Sequence, residues 1–218
     1  MKILALEFSS PQRSVAVVQS GGPSPPLLLA RAGETSGHRA LGLVEEALQR
    51  AHCEREEIEA IAVGLGPGSY TGIRGAIALA QGWQLGRGVG LLGLSSVEGL
   101  AARAAEEKMS GPVNIIIDAQ RSEFYLARYE IGPGSWRELE GLRLASFSEI
   151  ESLARRGEPL VGPGASQWFA PARDLFPEAA ILGRLACGRT DFTPGEKLVP
   201  IYLRETAFKK APPPRTGP

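Results

Sequence analysis

The chain has 218 residues, 43% of them hydrophobic, and its 24 Lys and Arg balance its 24 Asp and Glu to zero formal charge. That apolar fraction excludes global disorder, and the charge balance argues against a module that grips nucleic acid by itself. Two cysteines without a CxxC pair exclude a disulfide framework or a structural zinc, and no apolar run approaches the ~20 residues that span a bilayer.

Met1–Glu7 carries a charge at Lys2 and again at Glu7, so no signal peptide is expected and the chain reads as cytoplasmic, with no membrane partner. Lys2–Glu7 has the pattern of a buried first strand, and Ser14–Gln19 that of its hairpin partner after the turn Ser9-Ser10-Pro11-Gln12. Gly21–Pro26 is a Gly/Pro loop, and Leu27–Arg31 a third strand. From about residue 38 to 52, Leu41, Val44, Leu48 and Ala51 recur at helical spacing. A strand at Ala60–Leu65 then runs into Gly64-Leu65-Gly66-Pro67-Gly68-Ser69-Tyr70-Thr71-Gly72-Ile73-Arg74, which opens a helix over residues 70–86. That helix carries Gly75, Leu79, Gly82 and Gly86 as a small ridge. Each interior glycine costs roughly 0.5–1 kcal/mol relative to Ala, so the ridge implies close approach of another backbone. Val89–Gly93 is a strand, and Ser95-Ser96-Val97-Glu98 starts the next helix as a capping box.

Beyond Gly111-Pro112 the first half recurs in outline. Asn114–Asp118 is an apolar strand ending in a carboxylate, as Ile3–Glu7 is, and Ser122–Glu130 is its partner. Leu160-Val161-Gly162-Pro163-Gly164 repeats the strand and Gly-Pro-Gly turn of Leu65–Gly68, so the chain reads as a drifted duplication. The division implied is an N-terminal lobe of residues 1–110, a C-terminal lobe of 111–208 with its last helix in the region Leu182–Phe192, and a Pro-rich tail, 209–218, expected to be disordered.

The glycine-rich turn suits either an anion at a helix N-terminus or a second polypeptide docked on the helix. It lacks the Gly-Lys-Ser/Thr ending of a P-loop, and Ser69 breaks a dinucleotide fingerprint. Neither Ser69 nor Ser95 has the flanking glycines of a hydrolase nucleophile elbow. His38 and His52, the two histidines, lie about 21 Å apart on one helix at 1.5 Å per residue, and Gly42 stands where a ligating partner of His38 would be, so no metal site is expected. Glu7 and Asp118 end the first strand of each half and border the cleft between lobes. Either they hold the metal of a bound nucleotide or they accept hydrogen bonds from the turn that follows. No glycine in either turn favours the second role.

Five stretches occur in order that together resemble the bacterial TsaB (YeaZ) family: Leu6-Glu7-Phe8-Ser9-Ser10, Gly64–Arg74, Gly93–Glu98, Ile117–Tyr125 and Pro200-Ile201-Tyr202-Leu203-Arg204. The resemblance implies an α/β fold of the actin-like, Hsp70-like ATPase (ribonuclease H-like) type, duplicated into two lobes. It implies a non-catalytic scaffold for threonylcarbamoyl (t6A) modification of adenosine 37 in tRNA, bound to a TsaD-like paralogue that is the transferase, with a TsaE-like ATPase as a further partner. Transfer RNA is then met only through the complex, and the chain alone forms a homodimer. No cofactor is expected for the chain alone, with ATP and magnesium confined to the complex. Asp usually ends the first strand in such families; this chain has Glu7.

The helices at 38–52 and 70–86 are the expected partner interface, with Leu41, Val44, Leu48, Tyr70, Ile73, Ile77, Ala80 and Gln84 as its residues. Ile77→Glu is then expected to abolish partner binding and leave a folded monomer. Glu7, Ser9 and Asp118 are the candidate nucleotide or cleft residues. The alternative in another class is an active ATP-dependent kinase or ATPase of the same fold, with Glu7 or Asp118 holding Mg²⁺.

Overall fold

The structure, a computed structural model, describes residues 1–21, 27–34 and 40–203. The loop at 22–26, His38 and the tail 209–218 lie outside the described residues. β1 (Lys2–Glu7) and β2 (Arg13–Gln19) form an antiparallel hairpin in which Glu7 faces Ser14. β3 (Leu27–Glu34) continues from β2, while β4 (Ala60–Gly64) and β5 (Gly90–Leu94) add in parallel on the other side of β1. The sheet order is therefore β3-β2-β1-β4-β5. β1 is central and buried on both faces: Leu4 and Leu6 point into one apolar layer, Ile3 and Ala5 into the other.

β6 (Gly111–Asp118), β7 (Glu123–Gly132), β8 (Ser135–Ser146), β9 (Leu160–Gly162) and β10 (Arg173–Asp174) build a second sheet in the order β10-β9-β6-β7-β8. Taken from its third strand, each sheet reads third, second, first, fourth, fifth, with the same parallel and antiparallel pairings. The drifted duplication is a duplicated topology, and the fold is a two-lobed α/β arrangement of the ribonuclease H-like type. Where the first half has a long helix after its fourth strand, the second has only a single 3-10 turn at Ala165–Gln167.

α1 (Ala40–Arg50) and α2 (Tyr70–Arg87) cover one face of the first sheet. α3 (Ser96–Glu106) packs Val97, Leu100, Ala101 and Ala104 on the second sheet. α4 (Phe147–Arg155) covers the outer face of that sheet through Ile150. α5 (Ala179–Ala186) crosses back to fill the remaining face of the first sheet. Layers thus run α1 and α2, first sheet, α3 and α5, second sheet, α4. The two halves are interlocked, because each contributes the middle-layer helix that packs on the other's sheet. Arg103 of α3 strengthens the joint, binding Glu107 at 3.2 Å and Glu178 at 2.9 Å, and Arg173 binds Glu107 at 3.0 Å.

β8, α4 and β10 were not predicted. β8 is a mostly exposed edge strand whose Arg137, Glu138, Glu140 and Arg143 protect the sheet edge and interrupt the apolar alternation of Trp136, Leu142 and Leu144. The last helix runs Ala179–Ala186, beginning before and ending short of the expected region Leu182–Phe192; Glu178 gives no side-chain cap, so no local signal marks its start. After it, residues 190–203 wrap the β5 edge: Thr193 N–H donates to Leu91 O at 2.8 Å, and Ile201 N–H to Leu65 O at 2.9 Å. The Phe192 ring fills the space above Gly90, where a Cβ would come within 2.6 Å of it.

Candidate functional site

The glycine-rich turn packs against the chain's own backbone. The Ser69 N–H donates to Ser9 O at 2.7 Å, which pins the start of α2 to the β1–β2 turn. A Cβ on Gly68 would collide with Ser9 O, and one on Gly72 with Phe8 O. Gly68 also has φ of 148°, in the region that favours glycine. A Cβ on Gly64 would fall inside the Glu7 carboxylate, and one on Gly66 would meet Ile73 Cδ1 at 2.5 Å. Each glycine of the turn is thus accounted for by close packing within the lobe. Ser69 caps α2, accepting from Gly72 N–H at 3.3 Å, and Ser95 caps α3, accepting from Val97 N–H at 3.2 Å.

Glu7 is 1% exposed. Ser9 N–H donates to its Oε1 and Ser96 Oγ–H to its Oε2, both at 2.9 Å, while Ser96 Oγ accepts from Gly66 N–H at 3.2 Å. Burial pushes the carboxyl's pKa above its ordinary value, and the hydrogen bonds from Ser9 and Ser96 pull against that rise. Glu7 therefore ties β1 to the turn and to the N-terminus of α3. Its counterpart Asp118 is exposed, and its Oδ1 accepts from Gln120 N–H at 2.7 Å. Both carboxylates accept from the amide two residues on. The turn after Asp118 places Gln120, Arg121 and Ser122 at φ of 62°, 57° and 59°, a run of left-handed residues without glycine that nothing in the sequence announces.

Ser9 and Asp118 line one interlobe cleft of ≈ 930 Å³, together with Ser69, Tyr70, Trp168 and Phe176. Glu7 lies beneath it, outside the lining. A magnesium–nucleotide, which the fold family implies, needs an acid facing the cleft from the first strand and a glycine turn open to phosphate. Glu7 spends both oxygens on Ser9 and Ser96, and Gly68 and Gly72 are covered by carbonyls of residues 8 and 9. Those residues do not fit that group. Among the described residues no set of three or more His, Cys, Asp or Glu is placed to hold a metal.

The expected interface residues separate into two groups. Val44, Leu48, Ile73, Ile77 and Ala80 are buried in the chain's own core, packed on the first sheet. Their spacing is that of the sheet-facing stripe, so this part of the expectation is corrected. Gln84 is half-buried and turned to the C-terminal segment: its Oε1 accepts from Gly195 N–H at 2.8 Å. Leu41 and Tyr70 are 63% and 54% exposed. The three glycines of the ridge face outward, since a Cβ on Gly75, Gly82 or Gly86 would meet nothing within 4 Å, whereas Leu79, expected on the same ridge, is half-buried and packs on the core. Leu85, 89% exposed beside that ridge, was missed; an isolated exposed leucine has no periodic signature. Tyr70 stacks on Tyr202 (centroids 5.6 Å apart), and the Arg74 guanidinium sits 4.1 Å from the Tyr70 ring centroid.

The family model described as TsaD, tRNA N6-adenosine threonylcarbamoyltransferase, matches residues 16–179. The tRNA threonylcarbamoyladenosine biosynthesis protein TsaB of Escherichia coli is 30% identical over 97% of this chain and 99% of its own length. The protein of the same name from Haemophilus influenzae is 27% identical over 97% and 98%. The solved structure of YeaZ from Pseudomonas aeruginosa superposes with a TM-score of 0.75 at 25% identity, covering 93% of this chain and 99% of that one. Near-complete coverage in both directions, a shared duplicated topology and the matched family model lead to one assignment: the chain belongs to the TsaB (YeaZ) family.

Proposed function

We propose that the chain is a non-catalytic subunit of the system that makes threonylcarbamoyladenosine in tRNA, and that it binds a TsaD-like transferase through the outer face of α1 and α2. The observation that carries this reading is the contrast between two sets of glycines. Those at 64, 66, 68 and 72 each sit under a close internal contact, whereas Gly75, Gly82 and Gly86 face open space in the same helix. Interior helix glycines with no internal contact are a standing cost, and a flat helix face that admits a second helix offsets it. Leu85 and Leu41 supply exposed apolar surface on the two helices.

The sealed Glu7 carboxylate and the carbonyl-covered turn support a role without nucleotide chemistry in this chain. Zero net charge supports contact with tRNA through the complex. A TsaE-like ATPase is the further partner, and the same helical face forms a homodimer when the transferase is absent. Asp118 and Ser9, which do share a cleft, favour the alternative of an active ATPase. The test is co-purification with the TsaD-like subunit. Leu85→Glu should remove binding with an unchanged melting temperature, and retained binding would overturn the interface. ATP turnover by the isolated chain, lost in Asp118→Ala, would replace the scaffold reading with the ATPase.

A further inference from the structure

We propose that the interlobe cleft is the docking site for the chain's own proline-rich segment, Ala211-Pro212-Pro213-Pro214-Arg215. The cleft carries aromatic rings from both lobes, Tyr70 at the start of α2, and Trp168 and Phe176 across from it. Trp168 is 49% exposed yet held in place, its ring edge-on to Phe124 with centroids 5.8 Å apart. Tyr70 is held by the Tyr202 stack. Fixed, partly exposed rings beside polar groups such as Ser9 and Gln120 suit a polyproline II segment. Such a segment is extended before it binds, offers its pyrrolidine faces to rings and leaves its carbonyls free to accept hydrogen bonds.

The course of the chain brings this segment to the cleft. Tyr202 stacks on the cleft residue Tyr70, so the last described residue, Leu203, leaves at the cleft rim. From Leu203 to Pro212 the chain takes nine residue-to-residue steps, which reach roughly 28–32 Å when extended, several times the width of a cleft of this volume. The cleft lining carries both signs of charge, Arg13 on the first lobe and Asp118 on the second. Asp118 lies exposed in the cleft with Oδ1 bound to Gln120 N–H, and no described cation forms an ion pair with it. Arg215 follows the three prolines directly. A short tether raises the effective concentration to the order of millimolar, so weak contacts suffice to hold the segment.

The test uses the full chain with its three tryptophans replaced by 5-fluorotryptophan and read by fluorine NMR, the Trp168 signal being assigned with Trp168→Phe. In the Pro212→Ala, Pro213→Ala, Pro214→Ala triple variant the Trp168 signal should shift while those of Trp83 and Trp136 stay in place. Arg215→Ala and Asp118→Asn should each move it part of the way. An identical Trp168 signal in wild type and triple variant would overturn the proposal. So would a wild-type signal that moves only when an unrelated proline-rich peptide is added, which would give the cleft to a partner's segment.

Discussion

The Glu7 carboxylate occupies the volume that a side chain at position 64 would need, so Glu7 and Gly64 form one packing unit. The long arm of Glu7 reaches across from β1 to the end of β4 and there meets Ser96 of α3. Gly64→Ala should therefore destabilise the chain by about 1–3 kcal/mol, the usual cost of overpacking. Glu7→Asp shortens the arm and should recover part of that loss in the double variant. Urea midpoints of the four proteins in the cycle measure the coupling, and strict additivity would contradict the pairing.

Burial raises the Glu7 pKa above its ordinary 4.5 in the folded chain. Between 4.5 and the raised value the folded state keeps a proton that the unfolded state releases, so stability falls as the pH rises through that window. Above the raised value that contribution is gone. Glu7→Gln cannot titrate and should flatten this slope. Denaturation midpoints of both proteins between about pH 4.5 and pH 8 decide the matter; parallel curves would show that Glu7 is not the group responsible.

Ile77 is 6% exposed and packs on the first sheet, so Ile77→Glu places a charge in the core. Loss of the folded state is the expected outcome, at a cost of several kcal/mol, instead of a folded monomer deficient in binding. Leu85→Glu, at an 89% exposed position, should stay within about 0.5 kcal/mol of wild type. Thermal melts of the two variants side by side check this, and equal stabilities would contradict the burial pattern.

Gln84 binds Gly195 N–H at 2.8 Å through Oε1 and Val89 O at 3.4 Å through Nε2, while Gln81 Nε2 donates to Gly195 O at 2.8 Å. Gln84→Ala leaves an amide without its partner and should cost about 1–2 kcal/mol. Amide hydrogen exchange should quicken across residues 193–198 and leave β6 and β7 untouched. Unchanged protection there would mean that α2 does not anchor the C-terminal segment.

The halves of this chain differ in how openly they state their structure. Ile3–Glu7, Ala60–Gly64 and Asn114–Asp118 are largely apolar runs bounded by turn residues, and each is a central strand because its apolar residues are buried on two faces. Ser69 and Ser95 mark helix starts through local side-chain chemistry and both cap, Ser95 through Val97 N–H instead of through the expected capping box with Glu98. β8 and α5 lacked such marks, one being a charged edge and the other an uncapped helix. For the site, the sequence brought forward Ser9 and Asp118 as cleft residues and Glu7 as a carboxylate held by its own turn, while Tyr70, expected at the partner interface, lines the cleft. It could not say which stripe of α2 faces the sheet, because Ile73–Ile77–Ala80 and Gly75–Gly82–Gly86 are equally regular.

Local pattern by itself determined the strands other than β8 and β10, the starts of α2 and α3, the duplication and the family, since each depends on residues close together in the chain or on motifs in a fixed order. Tertiary structure decided what the glycine-rich turn is for. A glycine is required wherever another group comes too close for a Cβ, and that group is named only when distant segments meet. Here it is Glu7, Phe8, Ser9 and Ile73 for the glycines of the turn, and open space for Gly75, Gly82 and Gly86 of the helix it starts.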